Sequence, residues 1–210
     1  MADGKASCYG KLPIFADFIR HNARLPEMEA LDMWFQEGIT VARQVIGRGW
    51  DDEFAGVPPS RFLYVSSSTG RVCVGAWVAG VDKAGRRYPF VIFQIPEVSA
   101  TGRETTLIPL VFAEFQTQAF QLAVEGWKGL EMRAFLSKIE AVPTRGSLDK
   151  ARQKYVDFLT GKTSGDFWKT LFGTFEDPRK YVLLHNLYTF LSPLRSGQTK
   201  LPTALRFPMT

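Results

Sequence analysis

The sequence predicts an α/β protein, a largely antiparallel central sheet covered by helices in a single domain over residues 1–210. Three observations predict it. Residues 60–95 hold three runs rich in β-branched and aromatic residues, joined by connections too short for a parallel crossover. Residues 26–45, and much of the chain after 105, repeat apolar residues at spacings of three and four, the period of a helix. The composition, 45% hydrophobic and 22% charged with 17 Phe in 210 residues, supplies a real core and argues against disorder.

Taken in order, Ala6 to Leu12 reads as a short strand ending at Pro13. Pro26 opens a helix whose apolar face is Met28, Leu31, Trp34, Phe35, Ile39, Ala42 and Val45, and Gly47 and Gly49 stop it. Asp51 to Ser60, rich in acid, Gly and Pro, reads as a loop. Strands follow at Phe62–Ser66, Val72–Val81 and Tyr88–Ile95, with turns at Gly70 and Asp82–Arg87. Beyond Pro96 the pattern becomes helical. Thr105 or Thr106 can cap a helix over 107–125, with Pro109 tolerated in its first turn. Further helices are expected at 130–140, from the Ser147 cap to Leu159, from Asp166 to Phe172, and from Asp177-Pro178 to Pro193. The tail, 201–210, alternates weakly and is a candidate edge strand, where its prolines are allowed. Residues 1–100 are thus strand-rich with one long helix, and 101–200 helical.

The net charge is +5 and the pI about 9.3. Its distribution matters more. Residues 1–140 carry 15 Lys/Arg against 16 Asp/Glu, whereas residues 141–210 carry 11 against 5. The excess lies in the last third, in Lys150, Arg152, Lys154, Lys162, Lys169, Arg179 and Lys180 among others. A basic balance permits nucleic acid or an acidic protein partner. No interleaved aromatic and basic stacking motif favours nucleic acid. The two cysteines, Cys8 and Cys73, form no CxxC and lie among small or apolar residues, which suits buried small hydrophobes. His21 and His185 show no ligand spacing, so no metal site is expected. No apolar run reaches the roughly 18–20 residues of a transmembrane helix, and the N-terminus lacks the apolar stretch of a signal peptide. A cytoplasmic location is expected, with no cofactor.

Candidate chemistry is sparse. Gly161-Lys162-Thr163 resembles the end of a phosphate-binding loop, but the required preceding glycine is absent, since position 156 is Val. Ser66 to Thr69 reads as a strand-to-turn junction rather than a nucleophile. Asp51, Asp52 and Glu53 read as a solvated acidic segment rather than a cation or acid/base site. His185, among Val182, Leu183 and Leu184, reads as a packed helical histidine.

Two segments are denser in unusual residues: Gly10-Lys11-Leu12-Pro13-Ile14-Phe15-Ala16-Asp17-Phe18-Ile19-Arg20, and Trp77 through Asp82, Gly85, Arg86, Arg87, Tyr88 and Pro89 to Phe90. Both combine aromatics with isolated charges at turns. A buried Asp17 or Asp82 would need a partner, with Arg20, Arg86 and Arg87 the obvious candidates. The structural reading is an ion-paired turn locked against the N-terminal loop. The functional readings are a recognition surface or, as an alternative, an enzyme site around Asp17, Asp82 and Arg86.

These segments resemble the signatures of the TagF (ImpM) family, accessory proteins of bacterial type VI secretion. Gly10-Lys11-Leu12-Pro13 followed by Ala16-Asp17-Phe18 and Arg20 is similar to the family's opening motif, with Ala16 where that motif has Gly. Leu25-Pro26 and Trp34 fit its first helix, and Gly80-Val81-Asp82-Lys83-Ala84-Gly85-Arg86-Arg87-Tyr88-Pro89-Phe90 fits its later turn. The resemblance implies a non-enzymatic, cytoplasmic, post-translational regulator, usually a repressor. Its implied partner is a forkhead-associated scaffold protein or another secretion component. It also implies that Asp17, Arg20, Asp82, Gly85 and Arg86 are first of all fold-defining. Gly10, Lys11, Pro13, Phe18, Trp77, Tyr88 and Pro89 complete the candidate interaction set.

Overall fold

The computed structural model describes residues 4–66, 69–96, 107–144 and 146–161, with positions 163, 166 and 169. Five strands form one antiparallel sheet: β1 (Ser7–Gly10), β2 (Ile19–His21), β3 (Ser60–Val65), β4 (Val72–Val78) and β5 (Phe90–Gln94). Their spatial order is β2-β1-β5-β4-β3, and each neighbouring pair is antiparallel. The α/β class with an antiparallel sheet is therefore the one found. The central strand β5 is buried at every residue, which explains its continuous apolar run. Its successive residues enter opposite faces. Phe90 and Ile92 join Cys8, Val74 and Ala76 in one core; Val91 and Phe93 join Tyr9 and Cys73 in the other.

Helices cover both faces. They are α1 (Pro26–Ile46), α2 (Trp50–Gly56), α3 (Ile108–Val111), α4 (Ala113–Gln121), α5 (Met132–Glu140) and α6 (Leu148–Leu159). Phe115 and Ala119 of α4, with Phe135 and Ile139 of α5, fill the first core. Met28, Leu31 and Phe35 of α1 fill the second. Fully burying one such aromatic or aliphatic side chain contributes about 1.5–3 kcal/mol.

The long helix begins and ends as expected, with Pro26 in its first turn and Gly47 at φ 66 beyond its end. Its apolar stripe is shorter than expected. Burial stops at Phe35, and Val45 further along is 80% exposed; Trp34, about 100° round the helix from Phe35, is 61% exposed because it faces off the stripe. A helix of 21 residues is roughly 31 Å long, more than the five to seven residues of β5 and β4 can cover. The acidic segment expected as a loop is helical. Gly47–Gly49 makes a 3₁₀ turn, and α2 follows with Asp51, Asp52 and Glu53 in its first turn, where they complement the helix dipole. Phe54 is its buried anchor.

The helix expected over 107–125 is broken at Phe112 into α3 and α4 and finishes in a π turn, Leu122–Gly126. Pro109 sits in the first turn of α3 as expected. Ser147 caps α6, its hydroxyl accepting from the Lys150 N–H at 3.3 Å. The short strand β2 was not expected at all. The caps at Thr105 and Thr106, the helix from Asp177 and the tail strand lie outside the described residues, as does the 166–172 helix apart from positions 166 and 169. By internal contacts the chain forms two compact units, 1–155 and 156–210. The first holds the sheet, α1–α5 and most of α6; the described part of the second is the end of α6 and the few residues after it.

Cys8 and Cys73 are both free and fully buried. Burial pushes the Cys8 thiol up to about 12 and raises Cys73 as well, the nearby Glu27 charge adding to the latter. A thiol reagent such as DTNB is expected to label neither in the native protein and both after denaturation. Rapid labelling of the native protein would contradict this packing.

Candidate functional site

The two motif segments meet because β1 and β5 are neighbours, with Cys8 opposite Ile92 and Tyr9 opposite Val91. Gly10 ends β1 at φ 125, and a Cβ there would lie 2.0 Å from the Pro89 carbonyl oxygen. Only glycine permits that approach. At Gly80 a Cβ would meet the Lys11 carbonyl oxygen at 2.2 Å. The backbone then ties the segments together. The Lys83 N–H donates to Phe15 O at 3.0 Å across the two, while the Tyr88 N–H to Gly80 O bond, 3.0 Å, closes the second segment on itself. The Asp82–Arg86 turn closes through the Asp82 N–H to Arg86 O, 3.1 Å, and the Gly85 N–H to Asp82 O, 2.9 Å, with Gly85 at φ 79. Ala16, standing where the family motif has Gly, keeps a negative φ; Asn22 is the one non-glycine described with a positive value.

Asp82 is the centre of the site. Its side chain is fully buried. Oδ2 accepts from Lys11 Nζ at 2.7 Å and from Arg86 Nε at 2.8 Å. Oδ1 accepts the backbone N–H groups of Ala84 and Arg86, both at 2.9 Å. Burial alone would raise this carboxyl. The hydrogen bonds from Lys11 and Arg86, with the Lys11 charge, outweigh burial and hold it well below the usual carboxylate range. Lys11 is only 5% exposed and also lies over the Phe18 ring, 4.7 Å from its centroid. Arg86 reaches on to the Ala16 carbonyl at 2.6 Å, so one side chain ties the turn to the N-terminal loop.

An aromatic layer backs this ion pair. Phe18 stacks on Tyr9 at 5.4 Å and meets Tyr88 edge-on at 4.9 Å. Arg20 lies over Tyr9 at 5.0 Å. The Tyr88 hydroxyl donates to Asp32 of α1, anchoring the layer to the long helix. Burial first, then that bond and the Asp32 charge, push Tyr88 above the ordinary phenol value. Trp77, half-buried, joins Phe35 on the same side of the sheet at 6.4 Å.

The candidate residues therefore separate into two groups. Gly10, Lys11, Asp82, Tyr88 and Pro89 are buried and hold the segments together; Asp17, Phe18, Arg20, Gly85 and Arg86 face solvent, with Pro13 and Trp77 between. Of the arginine partners expected for the acids, Arg86 is found on Asp82, whereas Arg20 and Arg87 are not. The buried partner of Asp82 is Lys11, joined by Arg86. Arg20 covers Tyr9 instead, and Arg87 pairs with Asp51 of α2 at 2.9 Å. Asp17 is exposed and only 3.9 Å from Arg86. Lys11 is 71 positions from Asp82, and only the sheet order brings them together; the signal available was a lone Lys inside an otherwise apolar strand end. Chemically, Asp82 is saturated by four donors and held ionised, so it acts as a structural anion. Ser66 is buried at the turn before Gly70, and His21 pairs with Glu140 of α5 at 2.8 Å. Among the described residues no three His, Cys, Asp or Glu side chains converge as metal ligands.

The ion-paired turn thus joins, within an antiparallel α/β fold, the Gly-Lys-Leu-Pro and Val-Asp-Lys-Ala-Gly-Arg segments that resemble the signatures of a type VI secretion-associated family. A family model described as the TagF N-terminal domain, type VI secretion system-associated, matches residues 7–142, and the chain belongs to the TagF family. Among solved structures, the crystal structure of PA0076 from Pseudomonas aeruginosa PAO1 is similar in fold, with a TM-score of 0.55 and 23% identity. The alignment covers 66% of this chain and 62% of that one, so the chain spans less than two thirds of its structural relative. No curated protein matched. No described helix is long and apolar enough to cross a membrane.

Proposed function

We propose that this protein is a cytoplasmic, post-translational regulator of the type VI secretion apparatus, a repressor that binds a forkhead-associated scaffold or another assembly component and keeps it from its partner. Membership of the type VI secretion-associated family over residues 7–142 is the observation that carries this reading. The saturation of Asp82 supports binding over catalysis, because a carboxylate already accepting four hydrogen bonds is poorly placed to take a proton.

The contact would use the basic last third. Lys150, Arg152 and Lys154 of α6 and Lys169 are exposed; Lys162, Arg179 and Lys180 lie outside the described residues. Charge of this kind steers encounter with an acidic partner and is screened by salt. Reversing these seven charges is expected to slow association with the purified scaffold at least tenfold at low salt and to flatten its salt dependence. Unchanged association with an unchanged salt slope would contradict the basic contact.

A further inference from the structure

A second surface, of opposite charge, lies on the other side of the sheet from α4 and α5. The C-terminal half of α1, α2 and the end of β4 enclose an apolar cleft of about 320 Å³, lined by Trp34, Phe35, Ile39, Ile46, Trp50 and Trp77 among others. Trp34 is 61% and Ile46 40% exposed, and Val41 and Val45 continue the apolar strip at 58% and 80%. So much exposed apolar surface in one strip marks a contact surface rather than scattered surface residues.

Gly38 lines the same cleft. It sits in the interior of a 21-residue helix, where glycine is a poor choice, and a Cβ at this position would meet nothing within 4 Å. The residue leaves open space in the cleft, at the expense of helix stability. The surroundings are acidic. The acid is concentrated at the start of α2, where Asp51, Asp52 and Glu53 follow one another; Asp51 pairs with Arg87, and Arg43 lies over the Trp50 ring at 5.5 Å, which leaves Asp52 and Glu53. Glu53 lines the cleft beside Asp52, and Glu37 lies one turn from Trp34 and Val41. An isologous pairing of two copies would set these acids against their own kind.

We propose that this cleft docks a short amphipathic segment of another protein, which seats a bulky apolar side chain over Gly38 between Trp50 and Trp77 and places flanking Lys or Arg against Glu37, Asp52 and Glu53. Aromatic anchors with a charged rim are the usual energetic pattern of such a site. It is separate from the basic contact proposed above and does not depend on it.

The test uses the full chain, a phage-displayed library of random 16-residue peptides, and two variants. Gly38→Trp fills the cleft; Gly38→Ala leaves it largely open. Both are expected to keep the wild-type circular dichroism and a Tm no lower than wild type. Selection on the wild type is expected to enrich peptides that combine Trp, Phe or Leu with Lys/Arg. Those peptides should bind Gly38→Ala within threefold of wild type, bind Gly38→Trp at least tenfold more weakly, and weaken at least fivefold with Asp52→Lys and Glu53→Lys together. No enrichment, enrichment of acidic peptides, or equal binding to Gly38→Trp would overturn the proposal. So would a wild-type dimer in sedimentation that Gly38→Trp dissolves, since a second copy would then own the cleft.

Discussion

Replacing Gly10 with alanine is expected to be the most damaging single-atom change in the protein. The new Cβ would lie 2.0 Å from Pro89 O and 2.6 Å from the Phe90 Cα, both backbone atoms of the central strand and its approach, and φ is 125. Neither neighbour can rotate away. Backbone strain and enforced displacement together cost about 3–6 kcal/mol, a large share of a typical domain's stability. A Tm drop of roughly 10–20 °C is expected by circular dichroism. The contrast is Gly85, at φ 79 but with open space around its Cβ position; Gly85→Asn is expected to cost only a few degrees, since Asn tolerates that region. Equal effects at the two sites would refute the close approach.

Lys11→Met is expected to come second. It removes the shortest bond to a buried carboxylate, and breaking a buried pair from one side is far worse than replacing both partners. A Tm drop of roughly 8–15 °C is expected at pH 7, with part of it recovered in the double variant Lys11→Met, Asp82→Leu. The same pair sets the acid stability. The folded-state Asp82 value lies below the ordinary 3.8. Its contribution is therefore complete above that value and is lost as pH falls below about 4 toward the lower folded value. In Asp82→Asn this segment of the pH–stability curve should flatten. A curve with the wild-type slope would show that Asp82 is not the linked group.

The ends of α1 were legible because Pro26 and Gly47 act locally, through a fixed φ at one end and a left-handed one at the other. The central strand was legible because burial on both faces makes Phe90–Phe93 an unbroken apolar run, with Gln94 the one polar residue before Ile95. The acidic helix α2 was not, because seven residues are too few to establish a period, and acid near Gly and Pro looks like a loop until the dipole is considered. Strand β2 has three residues and exists only through its pairing with β1. Spacings of three and four drift round the helix, so Trp34, about 100° from its neighbour Phe35, entered the expected stripe although it lies off the buried line of Met28, Leu31 and Phe35. At the site, the turn of Asp82, Gly85 and Arg86 was readable from local chemistry. Lys11 was not assigned to Asp82 because that contact crosses the β1–β5 and β5–β4 pairings.

The division within the motif follows from the same geometry. Lys11, Asp82 and Gly10 are spent on holding two segments together, which leaves Phe18, Arg20 and Arg86 on the surface they create. A face held rigid in this way would cost no ordering if a partner bound it.

The central claim, that this is a binding regulator of type VI secretion, is tested most directly by using the intact protein as bait in a bacterium with an active secretion system and identifying what it retains. The forkhead-associated scaffold or a baseplate subunit is expected, held by wild type and released by reversal of the seven basic charges. Recovery of nucleic acid alone, or of nothing, would contradict the claim.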